Sequence, residues 1–296
     1  VENKKDRKDN TFTTLITDMG QWYQIIVWFK VKGHKVNKVT FQDSLKILNM
    51  SVEAIAKGFD LPIRKLELDY KAKREIGHEL TPHEIDYIQN DVEIISRALD
   101  AMFKLDLSKM TIASDALTSF KSMCNNFKRL FPELTPEVDA DIRPSYKGGF
   151  TYVSDKYAGK EVGEGVVFDV NSLYPSRMMY ELLPVGQPEP FTGRYKRDAN
   201  YPLYIQKLEC VFELKPDKIP SIQIKHSLSF MQNEYLKSSN GEIVSLMLTK
   251  PDLELFFEQY DVEVVSWNGG YKFKQAKGIF DEYINHWTES KIQAKK

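Results

Sequence analysis

Cysteine is almost missing from this sequence: Cys124 and Cys210 are the two in 296 residues. Two thiols exclude a disulfide framework and a cysteine-only zinc site. Reducing, intracellular conditions are therefore the default, and both side chains are expected to be buried apolar groups. Histidine is also scarce, at five, and none shows metal-ligand spacing; His83 reads as an ordinary first-turn helix residue. No apolar run reaches about 18 residues, so no segment is expected to span a membrane. The first residues, VENKKDRKDN, are polar and charged, so no signal peptide is expected. Charge of one sign is lacking too: 41 Lys and Arg face 42 Asp and Glu. Bulk charge thus gives no support for a nucleic-acid partner, although a cleft can be basic on a neutral molecule. There is no internal repeat and no low-complexity stretch.

What remains is an ordinary globular composition, 42% hydrophobic and 28% charged, long enough for two domains. Residues 22–29 (WYQIIVWF) read as a buried strand, with 38–42 as its hairpin partner across VKGHKVN. Ser51 to Gly58 reads as a short helix, capped by Ser51 and stopped by Gly58. Thr81-Pro82-His83-Glu84 is a capping box with Pro at the first helical position. Ile85, Ile88, Val92, Ile95, Leu99 and Met102 follow at spacings that predict one apolar face backing onto a sheet, to about Lys104. A second helix is predicted from Met110 to Phe127. The Pro- and acid-rich stretch around Pro132–Pro144 is the expected boundary, giving domains at 1–131 and 150–296 with 132–149 as linker. Beyond it, strands are predicted at Phe150–Val153, Val166–Val170, Leu203–Leu214, Ile243–Thr249 and Val262–Trp267. Helices are predicted from Asn171, Pro251 and Gly278. The expected class is α/β in the first half and α+β, mostly antiparallel, in the second. The ends read as cut, since the chain starts on Val and its last helix has no stop signal.

Residues 165–176 read GVVFDVNSLYPS. An apolar strand delivers Asp169 to its tip and turns straight into a helix. A carboxylate there can hold a divalent metal, and the Val170 carbonyl can join it. The helix N-terminus, at Ser172 and Leu173, offers N–H groups to a phosphate, and Tyr174 can pack flat on a sugar or base. At Tyr146-Lys147-Gly148-Gly149, two glycines let backbone approach a phosphate beside a cation. Tyr87 and Asp91, at i and i+4, share one helix face.

Asp169-x-x-Ser172-Leu173-Tyr174-Pro175-Ser176 resembles the palm motif of family B DNA polymerases, and Tyr146–Gly149 resembles the Y-x-G-G element joining their exonuclease and polymerase modules. Tyr87–Asp91 resembles the third exonuclease motif, Y-x-x-x-D. Ser44-Leu45-Lys46-Ile47-Leu48 resembles the S/T-L-x-x-h element, and Lys65-Leu66-Glu67-Leu68 the K-x-x-h element. The order and spacing, and runs such as MGQWY, IPSIQIK and EYLKSS, resemble the protein-primed branch of the family, encoded by small tailed phages of Gram-positive bacteria.

The resemblance implies a partial RNase H-like 3′–5′ exonuclease followed by a partial palm with a first insertion, within about 184–277, that contacts the terminal protein. It implies DNA-directed DNA synthesis with proofreading in viral DNA replication, with Mg²⁺ as cofactor, in the cytoplasm of the infected bacterial host. Primer–template DNA, deoxynucleoside triphosphates and the terminal protein are the implied partners. Asp169 with the Val170 carbonyl, and Asp91 with Glu67, would be metal ligands. Tyr87 would orient the attacking water, and Lys65 would stabilise the exonuclease transition state; Tyr70 is a further candidate to line that site. Tyr174, with Ser172 and Leu173, would bind the nucleotide and exclude a 2′-hydroxyl. Tyr146–Gly149, Ser44 and Leu45 would bind DNA. The D-x-E, N-x-x-F-D, K-x-x-x-N-S-x-Y-G and Y-x-D-T-D motifs are not in this sequence, so each metal site is expected to be incomplete and the chain alone inactive. A subunit of a split polymerase, with the missing segments supplied in trans, and a non-catalytic DNA-binding remnant are the alternatives.

Overall fold

The computed structural model describes residues 8–32, 35–224 and 234–294. They form two compact units, Val1–Ser122 and Met123–Lys296.

In the first unit, β1 (Thr11–Ile16), β2 (Trp22–Lys32) and β3 (Lys35–Gln42) make an antiparallel meander in that order. The β2–β3 hairpin matches the expectation, with register from Gln24↔Gln42 to Lys32↔Lys35; of its expected turn, Gly33 and His34 lie outside the described residues. β1 was not foreseen, yet Thr11, Thr13, Thr14 and Ile16 give it the β-branched content of a strand. β2 is less buried than predicted: Trp28 is its one buried side chain among the described residues.

A one-turn 3₁₀ helix, Ser44–Lys46, is capped by Asp43. It leads to α1 (Val52–Gly58), where Ser51 accepts from the Ala54 N–H as expected. Gly58 is the last helical residue rather than the stop; Asp60 takes the left-handed conformation instead, at φ 45°. α2 (Pro82–Lys104) starts on the predicted capping box. Its predicted apolar face holds only in part: Ile85, Ile88 and Val92 are exposed, while Ile95, Leu99 and Met102 are half-buried and the last two flank the core. The buried line is Glu84, Tyr87, Ile94 and Ala98, with Asp91 half-buried between them. Leu48, Ile55, Ala56, Ile94 and Ala98 form the core, flanked by Leu61, Leu99 and Met102. α3 (Ile112–Met123) ends before the predicted Phe127, because Asn125 and Asn126 favour a turn.

The second unit opens with α4 (Phe127–Leu130) and α5 (Pro136–Ile142), then a 3₁₀ turn at Arg143–Ser145. The stretch expected as a linker thus holds a capped helix: Thr135 accepts from Val138 N–H with Pro136 at the first position, repeating the Thr81-Pro82 chemistry. Then follow α6 (Leu173–Tyr180), β4 (Leu183–Phe191), β5 (Leu203–Leu214), β6 (Ile222–Ile224), β7 (Glu234–Leu236), β8 (Val244–Thr249), α7 (Lys250–Gln259), β9 (Tyr260–Ala276) and α8 (Asp281–Gln293). The sheet order is β4-β9-β5-β8, antiparallel throughout, with β6 and β7 as a separate ribbon. Leu208, Cys210, Phe212, Leu248, Leu253, Phe256 and Tyr260 fill its core. Burial pushes the Cys210 thiol up to about 11, in keeping with an apolar role, whereas Cys124 is only half-buried. The predicted strands at 150–153 and 166–170 have no ladder, and Val166, Val167 and Phe168 are largely exposed. A strand exists only where a neighbouring backbone takes up its hydrogen bonds; the Thr151 N–H goes to the Tyr235 side chain instead, at 3.1 Å, with Phe150 and Tyr152 against the same ring.

The long β9 bends at Gly269 and Gly270. Gly269 sits at φ 81°, and a Cβ there would fall 2.2 Å from the Phe191 carbonyl oxygen. The buried Gln206 holds the bend: its Nε2 donates to Gly269 O at 2.8 Å and Gly193 O at 3.0 Å, while its Oε1 accepts from Tyr195 N–H at 2.8 Å. Gly269→Ala is predicted to destabilise this unit by more than about 1 kcal/mol. Gly148→Ala, at a position with no neighbour within 4 Å, is predicted to change stability by less than about 1 kcal/mol. Chemical unfolding of both variants checks the contrast.

Candidate functional site

In the first unit the chemistry gathers on one face of α2. Lys65, on the extended segment after α1, donates from Nζ to Tyr87 OH and to Asp91 Oδ2, each at 2.7 Å. The ammonium also lies 4.7 Å from the Tyr87 ring centre. Tyr70 OH hydrogen-bonds Tyr87 OH, and the two rings meet edge-on at 6.2 Å. Burial works against the Lys65 charge, but the hydrogen bonds to Asp91 and Tyr87 outweigh it and raise its pKa. Lys65 is therefore a permanent cation. The Tyr70 phenol is raised as well, first by its bond to Tyr87 and then by burial. Asp91 Oδ1 is buried without a hydrogen-bond partner. An inward carboxylate oxygen left unpaired beside a cation fits a ligand for a hard metal ion. Lys65, Glu67, Tyr70 and Arg64 line a groove of about 520 Å³. Glu67 itself is exposed, and its carbonyl accepts from His83 Nε2 at 2.9 Å. His83 thus does more than sit in a first turn: it ties α2 to this segment.

Arg74, His78, Thr81 and Glu84 form a group that sequence reasoning missed. Glu84 accepts from Thr81 N–H at 2.9 Å, Thr81 Oγ1 at 3.1 Å, His78 Nε2 at 2.9 Å and Arg74 Nε at 2.5 Å. Thr81 N–H first, then His78 and Arg74, hold its carboxyl far below the usual range. The capping box was legible; the two partners from the preceding loop were not, because no local spacing links Arg74 to Glu84. Ser44 and Leu45 lie on the 3₁₀ turn, Ser44 half-buried and Leu45 exposed, while Ile47 and Leu48 are buried. That element is therefore an anchored turn with an open tip.

In the second unit, Asp169 is exposed at the end of the unpaired 165–170 segment, and among the described residues its carboxylate has no hydrogen-bond or ion-pair partner. Val170 is exposed too. Ser172 sits in the left-handed region at φ 53°, so α6 starts at Leu173 rather than Asn171, and the Ser172 side chain makes no capping hydrogen bond. The first-turn N–H groups of α6 are left without that cap. Leu173 and Tyr174 are exposed. Tyr146 is exposed beside Gly148 and Gly149, both with open space where a Cβ would stand. Lys147 points elsewhere: Nζ lies 3.3 Å from Ser221 O and 3.4 Å from Asp252 Oδ1. Its charge is already matched. Among the described residues no three His, Cys, Asp or Glu side chains come together as a metal cluster, so Asp91, Glu67 and Asp169 are not gathered into one.

The chain belongs to the family of type B DNA polymerases, organellar and viral, which it matches over residues 13–296. It is 49% identical over 288 residues to the DNA polymerase of Bacillus phage B103, covering 97% of this chain and 50% of that protein. With the DNA polymerase of Streptococcus phage Cp-1 it shares 34% identity over 294 residues, covering 95% of this chain and 50% of that protein. It superposes on phi29 DNA polymerase with TM-score 0.91 at 46% identity, covering 96% of this chain and 50% of that one. The TM-score is 0.88 against phi29 DNA polymerase complexed with primer–template DNA and incoming nucleotide substrates, at 46% identity, covering 97% of this chain and 51% of that one. The chain spans about half the length of the curated relatives it matches. No helix among the described residues is long and apolar enough to cross a membrane.

Glu84 gives a pH prediction. A carboxyl whose folded pKa lies below its unfolded value stabilises the fold above the unfolded value, here about 4.5, and the contribution fades as pH falls below it. The chain is predicted to lose stability progressively below about pH 5, and Glu84→Gln to flatten that loss. Urea midpoints at pH 7, 5 and 3 test this; equal acid slopes in both proteins would contradict it.

Proposed function

We propose that the chain is part of a protein-primed DNA polymerase, with portions of a 3′–5′ exonuclease site in its first unit and of the nucleotidyl-transfer site in its second. The observation that carries the reading is Lys65 bridging Tyr87 and Asp91 at 2.7 Å on one helix face, in a chain of this family. The first unit is read as the RNase H-like module, and the second as palm with the insertion that meets the terminal protein, preceded within that unit by the 132–149 stretch as linker.

In the exonuclease half-site, Asp91 presents a free carboxylate oxygen to the site. Tyr87 is held by Lys65 and Tyr70, with its hydroxyl placed to orient an attacking water. Lys65 sets a fixed positive charge where negative charge grows on the scissile phosphate. Ser44 and Leu45 give the frayed primer end a turn to rest on. In the synthetic half-site, Asp169 lies open beside the start of α6, whose first-turn N–H groups favour a triphosphate. Tyr174 is the second residue of α6, where its ring stacks on a deoxyribose and excludes a 2′-hydroxyl. Tyr146, Gly148 and Gly149 give the template a surface of close backbone approach, with Lys147 a structural cation beneath it. Mg²⁺ held by Asp91 with Glu67, and by Asp169 with the Val170 carbonyl, would supply charge neutralisation at the reacting phosphates. Further carboxylates come from the polymerase segments this chain does not span, within one polypeptide or in trans. The setting is the cytoplasm of an infected bacterium, with primer–template DNA, deoxynucleotides and a terminal protein as partners.

The test joins this chain to the segments of the phage B103 polymerase that it does not cover. Asp91→Ala is expected to lower 3′–5′ degradation by on the order of a hundredfold or more and leave extension intact. Asp169→Ala is expected to abolish extension and leave degradation intact. Loss of both activities in either variant, or of neither, would overturn the division into two half-sites.

A further inference from the structure

Residues 59–81 contain no helix or strand, yet this stretch carries Tyr70 to Tyr87. Lys65, with the Asn90 and His83 bonds, holds the first part of the stretch to α2, and Arg74 fixes the part beside Tyr70. Arg74 donates through Nε to Glu84 at 2.5 Å, and through its terminal nitrogens to Asp69 O at 3.3 Å and Ala72 O at 3.2 Å. Asp69 and Ala72 bracket Tyr70. Glu84 and Tyr87, three apart on α2, point from the same face. The guanidinium therefore closes a ring: α2 to Arg74, Arg74 to the backbone beside Tyr70, and Tyr70 OH back to α2 at Tyr87. His78 grips Glu84 from the other end of the loop. Tyr70 is 72% exposed, so packing does not hold its ring in place.

We propose that Arg74, clamped by Glu84, is the positioning residue that sets Tyr70 against Tyr87 and so fixes the water-orienting phenol beside Asp91. The proposal rests on reading this site as the exonuclease half-site. A planar fork that reaches a carboxylate and two carbonyls together is a task for arginine, and lysine cannot reproduce it.

The test uses the 296-residue chain with ¹³C-labelled tyrosine. In the wild type a nuclear Overhauser contact links the Tyr70 and Tyr87 rings. Arg74→Ala and Arg74→Lys are both expected to lose it with little change in thermal midpoint. Thr81→Ala, which removes the Thr81 Oγ1 bonds at the helix cap but leaves the Arg74 bond to Glu84 Oε1, is expected to lower the midpoint and keep the contact. A ring contact that persists in Arg74→Ala, or that vanishes equally in Thr81→Ala, overturns the proposal. Fluorescein-labelled oligothymidylate separates this from the site reading. Arg74→Ala and Tyr70→Ala are expected to weaken its binding about tenfold, the scale of one lost hydrogen bond to a polar group. If the ring contact is lost but binding is unchanged in both, the positioning role stands and the exonuclease reading falls.

Discussion

The Lys65 ammonium carries the first unit's chemistry. It sits between a phenol and a carboxylate, both three-quarters or more withdrawn from solvent, and it satisfies both at once. An aspartate on a helix face, half-buried with one oxygen unpaired, is costly to ionise without a cation in contact. The same contact orders the segment after α1, because Lys65 is reached from α2 only when that segment lies across the helix. Asn90 and His83 add their own bonds to the carbonyls of Arg64 and Glu67, so the segment is stitched to α2 on both sides of Lys65.

The second unit is organised by packing instead of charge. Phe212, Phe256 and Tyr260 meet within about 5 Å ring to ring at the centre of its core. Tyr260 then uses its hydroxyl to accept from Ser221 N–H and donate to Leu236 O, which pins the β6–β7 ribbon to the start of β9. That rigid body contrasts with the 165–170 segment, which carries Asp169 with its apolar side chains in the open. The chain spans about half the length of the phage polymerases it matches.

Local chemistry was legible in the sequence and long-range pairing was not. Ser51, Thr81 and Thr135 cap helices as read or as the same rule would read them, because a cap needs only the residues beside it. The motif residues Lys65, Tyr87 and Asp91 were named from the family resemblance and do meet in space. The first half of α2 was misread because hydrophobic periodicity assumes that the greasier stripe faces in, whereas Leu99 and Met102, farther along that stripe, do flank the core. Here the inward line is Glu84, Tyr87 and Asp91, and hydrogen bonds from a loop compensate its burial. The Arg74–Glu84 clamp and the Lys147–Asp252 pair join residues far apart in sequence, and pattern alone does not reveal such partners. Gln206 and the Gly269 bend belong to the same class.

The central claim is that Lys65 bridges Tyr87 and Asp91 as a shielded, hydrogen-bonded ammonium. Heteronuclear NMR of the ¹⁵N-lysine-labelled chain at neutral pH tests it directly, since ammonium protons in such a bridge exchange slowly enough to be seen while exposed lysines vanish. The account predicts a protected ammonium signal that Lys65→Arg removes and that Asp91→Asn and Tyr87→Phe together abolish. A spectrum without such a signal, or one whose signal survives the double substitution, would contradict it.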